Sequence, residues 1–183
     1  LAIKHATVGC PGPVAVVYYS NALKGRVGPK SQPPLHASSG YLVPDLRQAD
    51  EGSLARAVEL LGAAKRPTII AGNGVRFNGG TDALLTLAET LSAPVVSTSA
   101  GKSVFAETHP LAAGVAGDYG LDAAAAVLGE ADVVLAVGTR LAPGDTIKQH
   151  PGLLNVRTQT LIQIDIEPRN VGWTHPVHCG LIG

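Results

Sequence analysis

Three short groups of residues carry the chemistry of this 183-residue chain: Gly72-Asn73-Gly74, Gly138-Thr139-Arg140 and Asp165-Ile166. Each follows a run of apolar, largely β-branched residues, so each is expected where a buried strand ends. These residue types suit a nucleotide. Glycines let backbone approach a phosphate, arginine pairs with a diphosphate or stacks on a base, and a strand-end aspartate accepts from ribose hydroxyls. Gly117 completes the set of candidate cofactor-binding positions. The set describes binding; no catalytic residue and no metal ligand is assigned.

Each group has a plainer reading. The dinucleotide fingerprint needs a third glycine, and position 77 is Phe77, so a tight turn accounts for Gly72 and Gly74 without a ligand. Arg140 has Asp132 and Asp145 as nearby candidate partners, and Asp165 is placed to cap the turn at Glu167-Pro168. His175, His178 and Cys179 cannot converge on one metal if they lie along a strand, since 178 points away from the other two, and a structural zinc site needs four ligands. Ser97, Thr98, Ser99 and Ser103 lack the G-x-S-x-G elbow of a serine hydrolase. His109-Pro110 reads as the start of a turn.

The elements that position these groups follow from periodicity. Leu54, Ala57, Val58 and Leu61 recur at helical spacing, as do Leu84, Leu87, Ala88 and Leu91, and Leu121, Ala124, Ala125 and Leu128; each set gives a helix one apolar stripe. A strand is expected after each, at 67–71, 94–97 and 133–137, with two more at 160–164 and 177–181. Helix then strand, repeated, predicts a three-layer Rossmann-like α/β domain whose mostly parallel sheet has about six strands. Residues 13–19 read as one further strand with no helix–strand unit before it. The stretch that follows, rich in Gly, Pro and Ser, reads as a linker.

Composition excludes several function classes. Fourteen basic and fourteen acidic residues give zero formal net charge, and only 4% of residues are aromatic, so there is neither the charge nor the stacking surface of a nucleic-acid binder. No apolar run is long enough to span a membrane. No secretory leader pattern opens the chain. The two cysteines, Cys10 and Cys179, have no CxxC spacing, which favours a reducing, cytoplasmic setting. The chain contains no methionine, and is expected to be a piece of a longer polypeptide.

The order of several motifs resembles a known family. Gly9-Cys10-Pro11-Gly12-Pro13-Val14-Ala15-Val16 and the proline-rich linker precede Arg66-Pro67-Thr68-Ile69-Ile70-Ala71-Gly72-Asn73-Gly74. Leu91-Ser92-Ala93-Pro94-Val95-Val96-Ser97, Glu107-Thr108-His109-Pro110-Leu111, Ala131 through Arg140, and Ile164-Asp165-Ile166-Glu167-Pro168 follow. Together they resemble the thiamine diphosphate-dependent enzymes of the acetolactate synthase, benzoylformate decarboxylase and pyruvate oxidase type. The resemblance covers nearly the whole chain.

It implies a three-domain parent acting on 2-oxo acids or related substrates, as a homodimer or homotetramer, with thiamine diphosphate and magnesium as cofactors. Residues 1–25 would be the end of the pyrimidine-binding domain, 26–50 a linker, and 51–183 the central domain. The pyrimidine domain's glutamate and the diphosphate domain's GDG…N magnesium motif would lie outside these residues, so the missing domains are the implied partners. Central domains of this type hold FAD, ADP or nothing. Flavin-binding relatives commonly carry arginine where Cys10 stands, Met-His where Val115-Ala116 stands, and a second arginine near Gly144. Each charge-assisted bond so lost is worth about 1.5–3 kcal/mol, which weighs against tight FAD binding and favours a scaffold with a vestigial nucleotide site. An NAD-dependent enzyme using His109 or His150 is a weaker alternative, because the glycine fingerprint fails.

Overall fold

The computed structural model describes residues 1–26, 28, 34, 36–42 and 47–183. The chain divides into two compact units, Leu1–Leu46 and Arg47–Gly183.

In the first unit a short helix, α1 (Ala2–Thr7), precedes two single 3-10 turns, Ser20–Lys24 and Ser38–Gly40. The strand expected at 13–19 does not form. An apolar run becomes a strand only when a neighbour completes its ladder, and Val16, Val17, Tyr18 and Tyr19 instead stand exposed. Part of the linker expected over 26–50 lies outside the described residues.

The second unit contains α2 (Glu51–Gly62), β1 (Pro67–Ala71), α3 (Gly74–Phe77), α4 (Thr81–Leu91), β2 (Val95–Ser97), β3 (Ala112–Val115), α5 (Asp122–Glu130), β4 (Val133–Val137), β5 (Thr160–Asp165) and β6 (Cys179–Ile182). The six strands form one sheet in the order β3-β2-β1-β4-β5-β6. Every adjacent pair is parallel, so the sheet expected to be mostly parallel is wholly so. The three expected long helices are α2, α4 and α5. Asp50 starts α2 by accepting the Ser53 N–H at 2.8 Å, and Ser92 ends α4 in the left-handed region at φ 50°.

Strand alternation produces two cores. Ile69, Ala71, Val95, Leu135, Ile162 and Leu181 face one way and pack with Ala57 of α2 and Leu84 and Ala88 of α4. Ile70, Val96, Val134, Ala136 and Leu161 face the other way, against Ala124 and Leu128 of α5 and Leu153 and Leu154. Burial of each large aliphatic side chain contributes about 1.5–3 kcal/mol. Asp132 fixes the start of β4: its carboxylate accepts from the backbone N–H groups of Lys65 and Arg66 at 2.7 and 2.8 Å, just before β1. Partial desolvation pushes its pKa up, but backbone amides, those of Arg66 and Lys65 foremost, together bring it below the usual value.

Candidate functional site at the carboxyl edge of the sheet

The strand order reverses between β1 and β4: the chain leaves β1 toward β2 on one side and leaves β4 toward β5 on the other. The carboxyl edge at such a reversal is where open α/β sheets place their ligand crevice. Gly72 and Gly138 stand directly after those two strands, so the sequence-predicted groups meet there.

They meet as packed backbone. The Gly72 N–H donates to Val137 O at 2.9 Å and the Gly74 N–H to Gly138 O at 3.0 Å. A Cβ on Gly72 would lie 2.3 Å from Gly138 O and 2.5 Å from Thr139 Cβ, and one on Gly74 would lie 2.7 Å from Gly138 Cα. Glycine is required at both positions because the two turns touch. Gly138 itself has φ +60°, its N–H donates to Ile164 O, and the Val75 N–H donates to Gly72 O. Asn73 Oδ1 is buried without a hydrogen-bond partner. The amides of Gly72, Gly74, Val75 and Gly138 are thus already bonded to carbonyls. Those four donors are therefore not open to a diphosphate at this edge.

Arg140 lies beside this contact, in a cleft of about 350 Å³ lined with Glu167, Arg169, Asn170 and Trp173. Its guanidinium carbon is 4.9 Å from the Trp173 ring centroid, within cation–π range. Asp132 is bonded to Lys65 and Arg66, so the expected alternative of an Arg140–Asp132 pair gives way. Asp145 does feel the Arg140 charge. Burial pushes the Asp145 carboxyl up, Arg140 opposes the shift and Asp118 adds to it. Arg169 grips Glu167 through two side-chain bonds, at 2.8 and 2.9 Å, and chiefly for that reason the Glu167 carboxyl titrates at about 2.

Asp165 takes the local role. Its Oδ1 accepts from the Glu167 N–H at 2.9 Å and from Asn170 Nδ2 at 3.1 Å, as in an Asx turn. The carbonyl of Ile166 accepts from Arg47 at 3.5 Å. Gly117 sits apart from the Gly72–Gly138 contact, at φ +102° where a Cβ would strike Gly144 O. Thr139 is buried and its Oγ1 accepts from the Leu141 N–H at 3.1 Å.

Two residues that sequence reasoning passed over shape the cleft, Trp173 in its lining and Gln163 buried behind it. Trp173 supplies its aromatic wall, and Gln163, 1% exposed, joins its two sides through hydrogen bonds to Thr139 O, Asn170 O and the Gly172 N–H. A polar residue inside the apolar run 160–165 was the available signal, since a buried amide needs partners.

The remaining candidates are accounted for locally. No group of three or more His, Cys, Asp or Glu side chains gathers as a metal site among the described residues. His175 is buried, which lowers its pKa. His178 Nδ1 accepts from Leu161 N–H at 3.0 Å, and only Cys179 of the three lies in a strand. His109 and His150 each accept a backbone N–H through Nδ1, from Leu111 and Gly152. Thr98 Oγ1 accepts from the Gly101 N–H at 3.0 Å. The described residues contain no helix long and apolar enough to cross a membrane. A second cavity, about 490 Å³ and lined in part by Arg66, Glu130, Asp132 and Gln159, lies at the opposite edge, where β4 begins.

Residues 54–183 match the family model described as thiamine pyrophosphate enzyme, central domain. A sulfoacetaldehyde acetyltransferase from Roseovarius nubinhibens is 39% identical over 133 residues, which cover 73% of this chain and 22% of that protein. A probable acetolactate synthase large subunit from Methanococcus aeolicus is 37% identical over 128 residues, 70% of this chain and 21% of the relative. A protein of the same description from Methanocaldococcus jannaschii is 33% identical over 177 residues, 93% and 28% of the two chains. The chain spans about a quarter of the length of these curated relatives. With a parallel sheet in this order, and a family match over most of its length, the chain belongs to the thiamine pyrophosphate enzyme family, as its central domain.

Proposed function

We propose that this chain is the structural central domain of a thiamine diphosphate-dependent decarboxylase or carboligase acting on 2-oxo acids or related substrates, and that it contributes no catalytic residue of its own. Residues 1–25 are the tail of the pyrimidine-binding domain, 26–50 the linker and 51–183 the central domain. The pyrimidine- and diphosphate-binding domains are its partners in a homodimer or homotetramer of the cytoplasm. Those domains hold thiamine diphosphate and magnesium, and the cofactor, when bound, supplies the electron sink for a substrate carbanion. What this chain's residues do is maintain a rigid sheet between the two.

The observation that carries the scaffold reading is the contact of Gly72 and Gly74 with Gly138, where the amides of all three glycines already donate to carbonyls. The nucleotide site of Gly72, Asn73, Gly74, Gly117, Gly138, Thr139, Arg140, Asp165 and Ile166 is on this view vestigial. One feature favours a second reading, an FAD- or ADP-binding module: the cleft in which Arg140 faces Trp173. Calorimetric titration of the chain with FAD and then ADP, with its visible absorption spectrum, separates the two. The scaffold reading expects no saturable heat and no flavin absorbance. Saturable binding that disappears in Arg140→Ala would establish the module instead.

A further inference from the structure

Gln163 makes an unusual set of bonds for a residue in the interior of a buried strand. Its Nε2 donates to Thr139 O at 2.9 Å and to Asn170 O at 3.0 Å, while its Oε1 accepts from the Gly172 N–H at 2.9 Å. The orientation of the amide is forced, because the reverse would set its oxygen against two carbonyls. Thr139 immediately precedes Arg140; Asn170 and Gly172 belong to the turn that ends at Trp173. One side chain therefore holds both walls of the cleft.

The neighbouring strands make room for this. In register with Gln163 are Ala136 on β4 and Gly180 on β6. A Cβ on Gly180 would come within 2.7 Å of Val171 Cγ1, so the absence of a side chain there lets the 170–173 turn settle onto the sheet. The turn is also held beyond Trp173, where Thr174 Oγ1 donates to Leu141 O at 2.8 Å. Trp173 itself is half exposed, and the residues on either side of it, Gly172 and Thr174, are tied down by bonds to Gln163 and Leu141.

We infer that Gln163 is the positioning residue of the Arg140–Trp173 stack, acting through the carbonyls of Thr139 and Asn170 and the amide of Gly172. The inference concerns the geometry of the cleft and stands whether or not a nucleotide binds there.

Trp173 is the sole tryptophan of the 183 residues, so emission excited beyond the absorption of the four tyrosines reports on this cleft alone. Gln163→Leu removes the three bonds at similar volume, and Gln163→Met is a more pliable alternative should the first variant not fold. Gln159→Leu is the control. Gln159 is also a buried amide with three backbone bonds, to Leu128 O, Ala131 O and the Asn155 N–H, but it lines the cavity at the opposite edge.

With folding verified by circular dichroism, Gln163→Leu should shift Trp173 emission and raise acrylamide quenching about twofold, toward the values of Arg140→Ala. Adding the Gln163 change to Arg140→Ala should have little further effect on either readout. Gln159→Leu should lower the melting temperature yet leave both at the wild-type value. A wild-type Trp173 signal in the folded Gln163 variants overturns the inference. So does an equal change in Gln159→Leu, which would mean that the signal follows general loosening.

Discussion

Replacing Gly72 with alanine tests the central geometric claim, that the turns after β1 and β4 are in direct contact. The new Cβ would lie 2.3 Å from Gly138 O, 2.5 Å from Thr139 Cβ and 2.8 Å from Gly138 C. Two of these atoms are backbone, so no rotamer change relieves the clash. The turns must part by roughly 1 Å to regain ordinary van der Waals distance. Overpacking of this kind costs about 1–3 kcal/mol, and the bonds from Gly72 to Val137 and from Gly74 to Gly138 would stretch, at about 1 kcal/mol each. The sum is on the order of 3–5 kcal/mol, and for a chain of this size the melting temperature should fall by about 10 °C. Urea or thermal unfolding measures it. Gly62→Ala is the companion variant: it ends α2 with nothing within 4 Å of the added carbon, and should stabilise by up to about 1 kcal/mol through helix propensity. A Gly72→Ala protein within about 0.5 kcal/mol of wild type would refute the contact and, with it, the support for the scaffold reading.

Three titrating groups give pH predictions. Burial raises the Asp145 pKa, so the folded state holds its proton more tightly than the unfolded chain; the stability this gives is present at low pH and lost as pH rises through the folded pKa. Asp145→Asn should therefore unfold at higher denaturant than wild type at neutral pH, and a lower midpoint would contradict the assignment. Glu167, held at about 2 against an ordinary 4.5 chiefly by Arg169, contributes stability above the ordinary value that disappears as pH falls toward 2. A carboxyl NMR titration should find it there and find it restored toward 4.5 in Arg169→Ala. Burial lowers the His175 pKa below 6.5, so acidification below that value should destabilise the fold. His175→Asn should flatten that part of the stability–pH curve, and an unchanged slope would assign the effect elsewhere.

The parallel sheet was readable because its central strands are unbroken apolar runs: residues 67–71 and 133–137 were expected with the bounds that β1 and β4 have. The edge strand β3 was not, since Ala112-Ala113-Gly114-Val115 is half-buried and pairs with a register shift, which leaves no β-branched run to detect. Residues 13–19 show the converse error, in which local pattern suggested a strand that pairing does not complete. At the site, the turn reading of Gly72-Gly74 and the capping reading of Asp165 could be weighed from the local sequence. The Trp173 wall and the Gln163 clamp could not, because they join segments brought together only by the β4–β5–β6 register.

The strand order has a consequence for the time course of folding. The outer strands on each side of the β1–β4 seam follow one another in sequence, whereas β1 and β4 pair across the intervening β2, β3 and three helices. Closure of that seam carries the largest loop entropy in the sheet, so the glycine contact at its carboxyl end should form after the rate-limiting barrier. Changes at Gly72 or Gly138 would then act on how fast the native chain opens and scarcely on how fast it forms. On that reasoning, three residues without side chains would contribute to the kinetic durability of the domain.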